Sequence, residues 1–89
     1  MAKLKDIVAE IPQTSVKDMI KFFKREGITG KRCVCYECPI SRYIKSRGII
    51  ASVTRGFITS TKKCMDTPKV FYHFLNEFDL GNIPQLEDK

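Results

Sequence analysis

Apolar residues recur along this chain at spacings that change from helical to alternating and back, and the changes divide it into six elements. Leu4, Ile7, Val8 and Ile11 fall at i, i+3, i+4 and i+7, which predicts a short amphipathic helix stopped by Pro12. Val16, Met19, Ile20 and Phe23 repeat the pattern after Ser15, which with Asp18 three residues on reads as a capping box. Lys24 and Arg25 suit the carboxyl end of that helix, and Gly27 suits a left-handed cap. Residues 29–37 have no periodicity and read as a loop. Cys38-Pro39 then opens a third, basic helix with a stripe of Ile40, Tyr43 and Ile44, running to Gly48.

The period next falls to two. Ile49, Ala51 and Val53 alternate with Ile50, Ser52 and Thr54, Arg55-Gly56 intervenes, and Phe57 to Thr61 continues a β-rich pattern. A two-residue loop puts Val53 opposite Ile58 and Ala51 opposite Ser60 on the core side, with Ser52–Thr59 and Thr54–Phe57 on the other. Thr67 as cap and Pro68 at the first position start a final helix whose buried face is Phe71, Phe74, Leu75 and Phe78. From Asp79 to Leu86 the chain is expected to run extended across the domain, and residues 87–89 to fray as an acidic tail. The fold class is therefore α+β, in the order α-α-α-β-β-α. Helices cover one face of a two-stranded antiparallel hairpin in a single domain, 1–89. A lone hairpin is marginal, so the helices complete it or a second copy pairs with its edge.

The 89-residue length permits a thin core, since chains of this size bury only about 60 to 65% of the surface that unfolding exposes. No apolar run approaches the roughly 20 residues needed to span a bilayer, and the lysine-flanked start lacks a signal-peptide core. The chain reads as soluble and cytoplasmic. Charge is uneven: residues 1–63 hold 14 of the 16 Lys and Arg against 5 of the 10 acids, giving +9, and residues 64–89 hold 2 against 5, giving −3, for the total of +6. Such a balance favours phosphate backbones or acidic protein surfaces as partners.

Chemistry is concentrated in the cysteines. Cys33, Cys35 and Cys38 lie close in sequence and Cys64 stands alone. In a reducing compartment they read as ligands, reactive thiols or apolar fillers. Cys35 and Cys38 have the spacing of a zinc knuckle, which Cys33 or Cys64 together with His73, or Cys33 and Cys64 both, would close into a tetrahedral site; the same run only partly echoes iron–sulfur motifs. Cys38, at a helix amino terminus near Arg32, Arg42 and Lys45, is the candidate low-pKa thiol, against the alternative that it packs inward as a cap. With one histidine, no glycine-rich phosphate loop and no close carboxylate pair, nothing else suggests catalysis, and no catalytic residue is assigned.

Binding is the function that remains, with nucleic acid the leading partner and protein association or dimerisation next. Lys31, Arg32, Arg42, Lys45, Arg47, Arg55, Lys62 and Lys63 are the candidate phosphate contacts; of the interleaved Tyr36, Tyr43 and Phe57, Phe57 is the candidate for stacking on bases. The stretches Cys-Pro-Ile-Ser-Arg-Tyr-Ile (38–44) and Phe-Asp-Leu-Gly-Asn-Ile-Pro-Gln-Leu (78–86) resemble two signatures of small uncharacterised proteins of actinobacteria and their phages. That resemblance implies a cytoplasmic accessory role.

Overall fold

The computed structural model describes residues 3–88, in which each predicted helix forms around the apolar stripe that predicted it. Helix α1 (Leu4–Glu10) buries Leu4, Ile7 and Val8; Ile11 is buried too but already extended, because Pro12 follows it. Helix α2 (Val16–Glu26) starts with the Ser15 hydroxyl accepting the Asp18 N–H at 3.1 Å and stops at Gly27, whose φ of 70° only glycine adopts without cost. The reciprocal half of the capping box is absent, since the Asp18 carboxylate accepts the Thr14 hydroxyl instead. Phe22, outside the predicted stripe, is buried against Tyr43 with ring centroids 5.0 Å apart. Helix α3 (Pro39–Ser46) has Cys38 as its N-cap and ends two residues before Gly48.

Strands β1 (Ala51–Val53) and β2 (Phe57–Ser60) pair in the register the alternation predicts: Ala51 with Ser60, Ser52 with Thr59, Val53 with Ile58. The Arg55-Gly56 loop has no positive φ, so the hairpin avoids the turn that would strain arginine. Thr54 closes it instead, its N–H donating to Phe57 O at 3.0 Å and its Oγ1 accepting the Phe57 N–H at 3.1 Å.

The expected two-stranded sheet is in fact three-stranded. Cys64–Asp66 forms β3, antiparallel to β2, after a second tight turn in which Ser60 and Lys63 exchange backbone and side-chain hydrogen bonds. The element order is thus α-α-α-β-β-β-α. Helix α4 (Lys69–Asp79) buries Phe71, Phe74, Leu75 and Phe78 as expected, but it begins one residue late. Pro68 is its N-cap, while the Thr67 hydroxyl donates to Thr54 O at 2.7 Å and staples the hairpin.

Beyond α4 the chain turns at Gly81 and forms a short 3₁₀ helix, Pro84–Leu86, in place of the expected extended run. Ile83 and Leu86 are buried and Leu80 is 69% exposed. Glu87 and Asp88, expected to fray, are docked: Gly30 N–H donates to Leu86 O at 2.8 Å, and Asp88 N–H donates to Gly30 O at 2.9 Å. Lys89 of that expectation lies outside the described residues. One core results, with α2 and α4 crossing over Phe23 and Phe74 and α3 seated on β1. There Ser41, 2% exposed, donates its hydroxyl to Ala51 O at 2.6 Å, so its burial leaves no polar atom unpaired.

Candidate functional site

Two features stand out on this framework, a thiol-lined cleft and an open sheet face, and the cleft begins at the loop between α2 and α3. That loop is pinned at each turn. Lys31 N–H donates to Glu37 O at 2.8 Å, Glu37 N–H to Val34 O at 3.0 Å, Val53 N–H to Cys35 O at 2.9 Å, and Cys33 N–H to Asp79 Oδ1 at 2.9 Å. The last bond holds Cys33 at φ 61°, an uncommon conformation for a side chain of any size. Folded in this way, the loop faces Val53, Arg55, Leu75 and Asp79 across a cleft of about 260 Å³ lined by Cys33, Cys35 and Cys38.

The three thiols are not equivalent. Cys33 and Cys35 are exposed, whereas Cys38 is 3% exposed and its Sγ accepts the Ser41 N–H at 3.4 Å. Burial pushes the Cys38 thiol up to about 11; the backbone N–H groups of Ser41 and Ile40 act in the opposite direction and are outweighed. Of the two readings of Cys38, this favours the inward-packing cap over the low-pKa nucleophile. Cys38 is a buried cap.

Nor does the structure assemble the zinc set. Cys64 lies on β3, two strand spacings or about 10 Å from β1, and pairs with Thr59 on the face turned away from the core. His73 opens onto a different groove, beside Gln13 and Lys69. Among the described residues, no group of three or more His, Cys, Asp or Glu side chains is arranged to hold a metal ion.

The predicted basic surface is divided by ion pairing. Arg32 pairs with Glu87 at 3.0 Å, Arg42 grips Asp88 through two 2.8 Å bonds, and Arg47 takes Glu10 at 2.9 Å. Arg55 reaches Asn76 at 2.8 Å and Asp79 at 3.3 Å, and Lys31 approaches Glu37 at 3.7 Å. The carboxylates respond: the Tyr43 hydroxyl and then Arg47 hold Glu10 below the usual carboxylate range, and Arg42 with Thr29 does the same to Asp88. Five of the eight candidate cations are therefore paired with groups of the tail, the loop, α1 and α4. Among the described residues, Lys45, Lys62 and Lys63 have no acidic partner.

Lys62 and Lys63 form the β2–β3 turn at one end of the sheet, and Arg55 and Phe57 lie at the other. Between them runs the outer face, Ser52, Thr59, Cys64 and Phe57, where Phe57 is 55% exposed while its neighbour Ile58, facing inward, is 0% exposed. Asp66 sits opposite Phe57, so positive charge prevails only at the lysine end. Tyr36 is exposed on the cysteine loop, and Tyr43 is buried in the core. The outer edge of β3 is three residues long, bordered by lysines and Pro68, an arrangement that discourages pairing with another sheet.

Sequence reading missed one cationic feature. Lys17, Lys21 and Lys24, at i, i+4 and i+7, make an exposed stripe on α2 directly opposite its buried face. The spacing was present in the sequence. No known family, curated protein or solved structure matches this chain, so any functional reading rests on these residues themselves.

Proposed function

We propose that this chain is a small binding module for nucleic acid and that a single strand lies across the outer face of its sheet. The observation that carries the reading is Phe57, a large aromatic ring exposed on a strand face that no helix covers, with Lys62 and Lys63 at the opposite end of β2 free of acidic partners among the described residues. Four residue steps separate Phe57 from Thr61, about 13 Å of strand. A base stacked on Phe57 and phosphates held at the lysine turn span that length in two to three nucleotides. The hydroxyls of Ser52 and Thr59 lie between. No paired bases are needed, because stacking on an aromatic platform takes any unstacked base.

Titration of a labelled single-stranded oligonucleotide at stepped salt concentrations tests the reading. Phe57→Ala should weaken binding about 5- to 150-fold, the loss of one base stack. Replacing Lys62 and Lys63 with Gln should lower the slope of log K against log salt by about 1.4. Absence of binding at low salt, or binding that neither variant changes, refutes it.

A further inference from the structure

The cysteine cleft is not needed for nucleic-acid binding, and its chemistry points elsewhere. Cys35 and Cys38 are separated by two residues, Cys35 inside the turn that the Glu37 N–H to Val34 O bond closes at 3.0 Å and Cys38 one residue beyond its end, and both line the same cleft. A disulfide spans Cα atoms up to about 7 Å apart, and two thiols three positions apart on one cleft are the pair that the loop offers for it. One thiol is exposed and the other buried. We infer that Cys35 and Cys38 are an exchangeable dithiol that reduces small disulfides entering this cleft, with Cys35 as the attacking sulfur and Cys38 as the resolving one.

The exchange proceeds in two displacements. The Cys35 thiolate attacks one sulfur of a small disulfide, RSSR, forming a Cys35–S–S–R bond as the R–S–S–R bond breaks and one RS⁻ leaves. Cys38 then gives its proton to that leaving thiolate and attacks Cys35 Sγ, forming the Cys35–Cys38 bond and expelling the second RS⁻, which takes up the proton Cys35 had lost. The protein dithiol gives up two electrons and two protons and the disulfide becomes two thiols; the reverse sequence, driven by excess small thiol, restores it.

Geometry assigns the order of attack. Cys38 lies beneath the loop with its Sγ bonded to Ser41 N–H, so no solvent-borne disulfide reaches it first. Cys35 has its backbone fixed by the bond to Val53 and its side chain at the cleft mouth, so a mixed disulfide on it is presented to the buried thiol. Cys33 lies before the turn, its backbone held by Asp79, and is a bystander.

The test is to treat the reduced full-length chain with a stoichiometric amount of oxidised glutathione, block free thiols, and map the products by mass spectrometry. The expected wild-type product is a Cys35–Cys38 disulfide with two glutathione thiols released. Cys38→Ser should stop at one glutathione on Cys35. Cys35→Ser should leave Cys38 unmodified until the protein is unfolded, and Cys33→Ser should behave as wild type. An internal bond to Cys33, or glutathione spread over the exposed cysteines with no Cys35–Cys38 bond in the wild type, overturns the inference. The wild-type map decides this even where a variant fails to fold.

Discussion

Replacing Gly30 with alanine tests the tightest joint of the fold. A Cβ there lies 2.6 Å from Glu37 O, 2.6 Å from Pro39 Cδ and 2.7 Å from Pro39 N. Ordinary contact begins at 3.4 Å, so the shortfall is 3.4 − 2.6 = 0.8 Å against atoms that no side-chain rotation can move aside. Withdrawal on the other side is also closed, because Gly30 N–H is bonded to Leu86 O and Gly30 O to Asp88 N–H. Either the Glu37–Pro39 segment retreats and loosens the start of α3, or the tail separates from Gly30.

Overpacking of this kind costs about 1–3 kcal/mol, and losing one or two backbone hydrogen bonds adds about 1 kcal/mol each. The sum is about 2–5 kcal/mol, a large part of the roughly 4–13 kcal/mol expected for a domain of this length. Urea unfolding followed by far-ultraviolet circular dichroism measures it, with Gly56→Ala as the control. Around Gly56 nothing lies within 4 Å of the added Cβ and φ is not positive, so that variant should stay within about 0.5 kcal/mol of the parent. A Gly30→Ala midpoint as close to wild type as the control refutes the close approach.

Phe74→Ala, which removes a fully buried ring stacked on Phe78 and tilted against Phe23, should cost about 3–5 kcal/mol in the same assay; a loss below about 1 kcal/mol would mean the aromatic cluster is not the core. In acid, Glu10 and Asp88 are held below their ordinary values, so their contribution is complete above the unfolded carboxylate range and is lost as pH falls through the lowered folded values. Stability measured from neutral pH downward should therefore decline, and less so in Arg42→Ala, which lacks the partner of Asp88. In alkali, Cys38 keeps its proton to about 11 while an unfolded thiol loses it near 9.0. Between those values unfolding is increasingly favoured by up to about 2–3 kcal/mol, and Cys38→Ala should flatten the decline; an unchanged slope would place the thiol in water.

Periodicity revealed what periodicity controls. The inward positions of β1 and β2 are unambiguous because a one-residue slip would expose Val53 and Ile58 together, and the register follows from that alone. Strand β3 carries no such signal: of Cys64, Met65 and Asp66 only Met65 turns inward, and it is half-buried. Helix ends were legible where one residue decides them, as Ser15 and Gly27 do. Thr67 misled, because its hydroxyl had a better acceptor in Thr54 O than the N–H groups of α4. Cys38 was placed at a helix start with inward packing as one of its two readings, and the structure agrees with that one; what chose between them is the packing of α3 against β1, which no local pattern encodes. Charge was legible as a total and illegible as a surface, since Arg42 finds Asp88 forty-six residues away and Arg47 finds Glu10 thirty-seven residues away.

Those distant pairs bear on what holds so short a chain together. Exposed ion pairs contribute about 0–1 kcal/mol each, so the bonds from Arg32 and Arg42 to the tail are weak substitutes for a metal. The apolar anchors are stronger: fully burying Ile83 and Leu86 stabilises by about 1.5–3 kcal/mol each before the ordering of the segment is counted. Burial therefore holds the carboxyl-terminal segment down, and the arginines fix where along Gly30 it lies. That division has a consequence for function. An arginine that positions a tail through a bidentate grip is a poor phosphate ligand, because a phosphate must first displace Asp88, whereas Lys62 and Lys63 have no such competitor. The same pairs that complete the fold thus take most of the predicted cations away from the proposed binding surface, and among the described residues they leave the lysine turn and Phe57 at the two ends of the outer strand face.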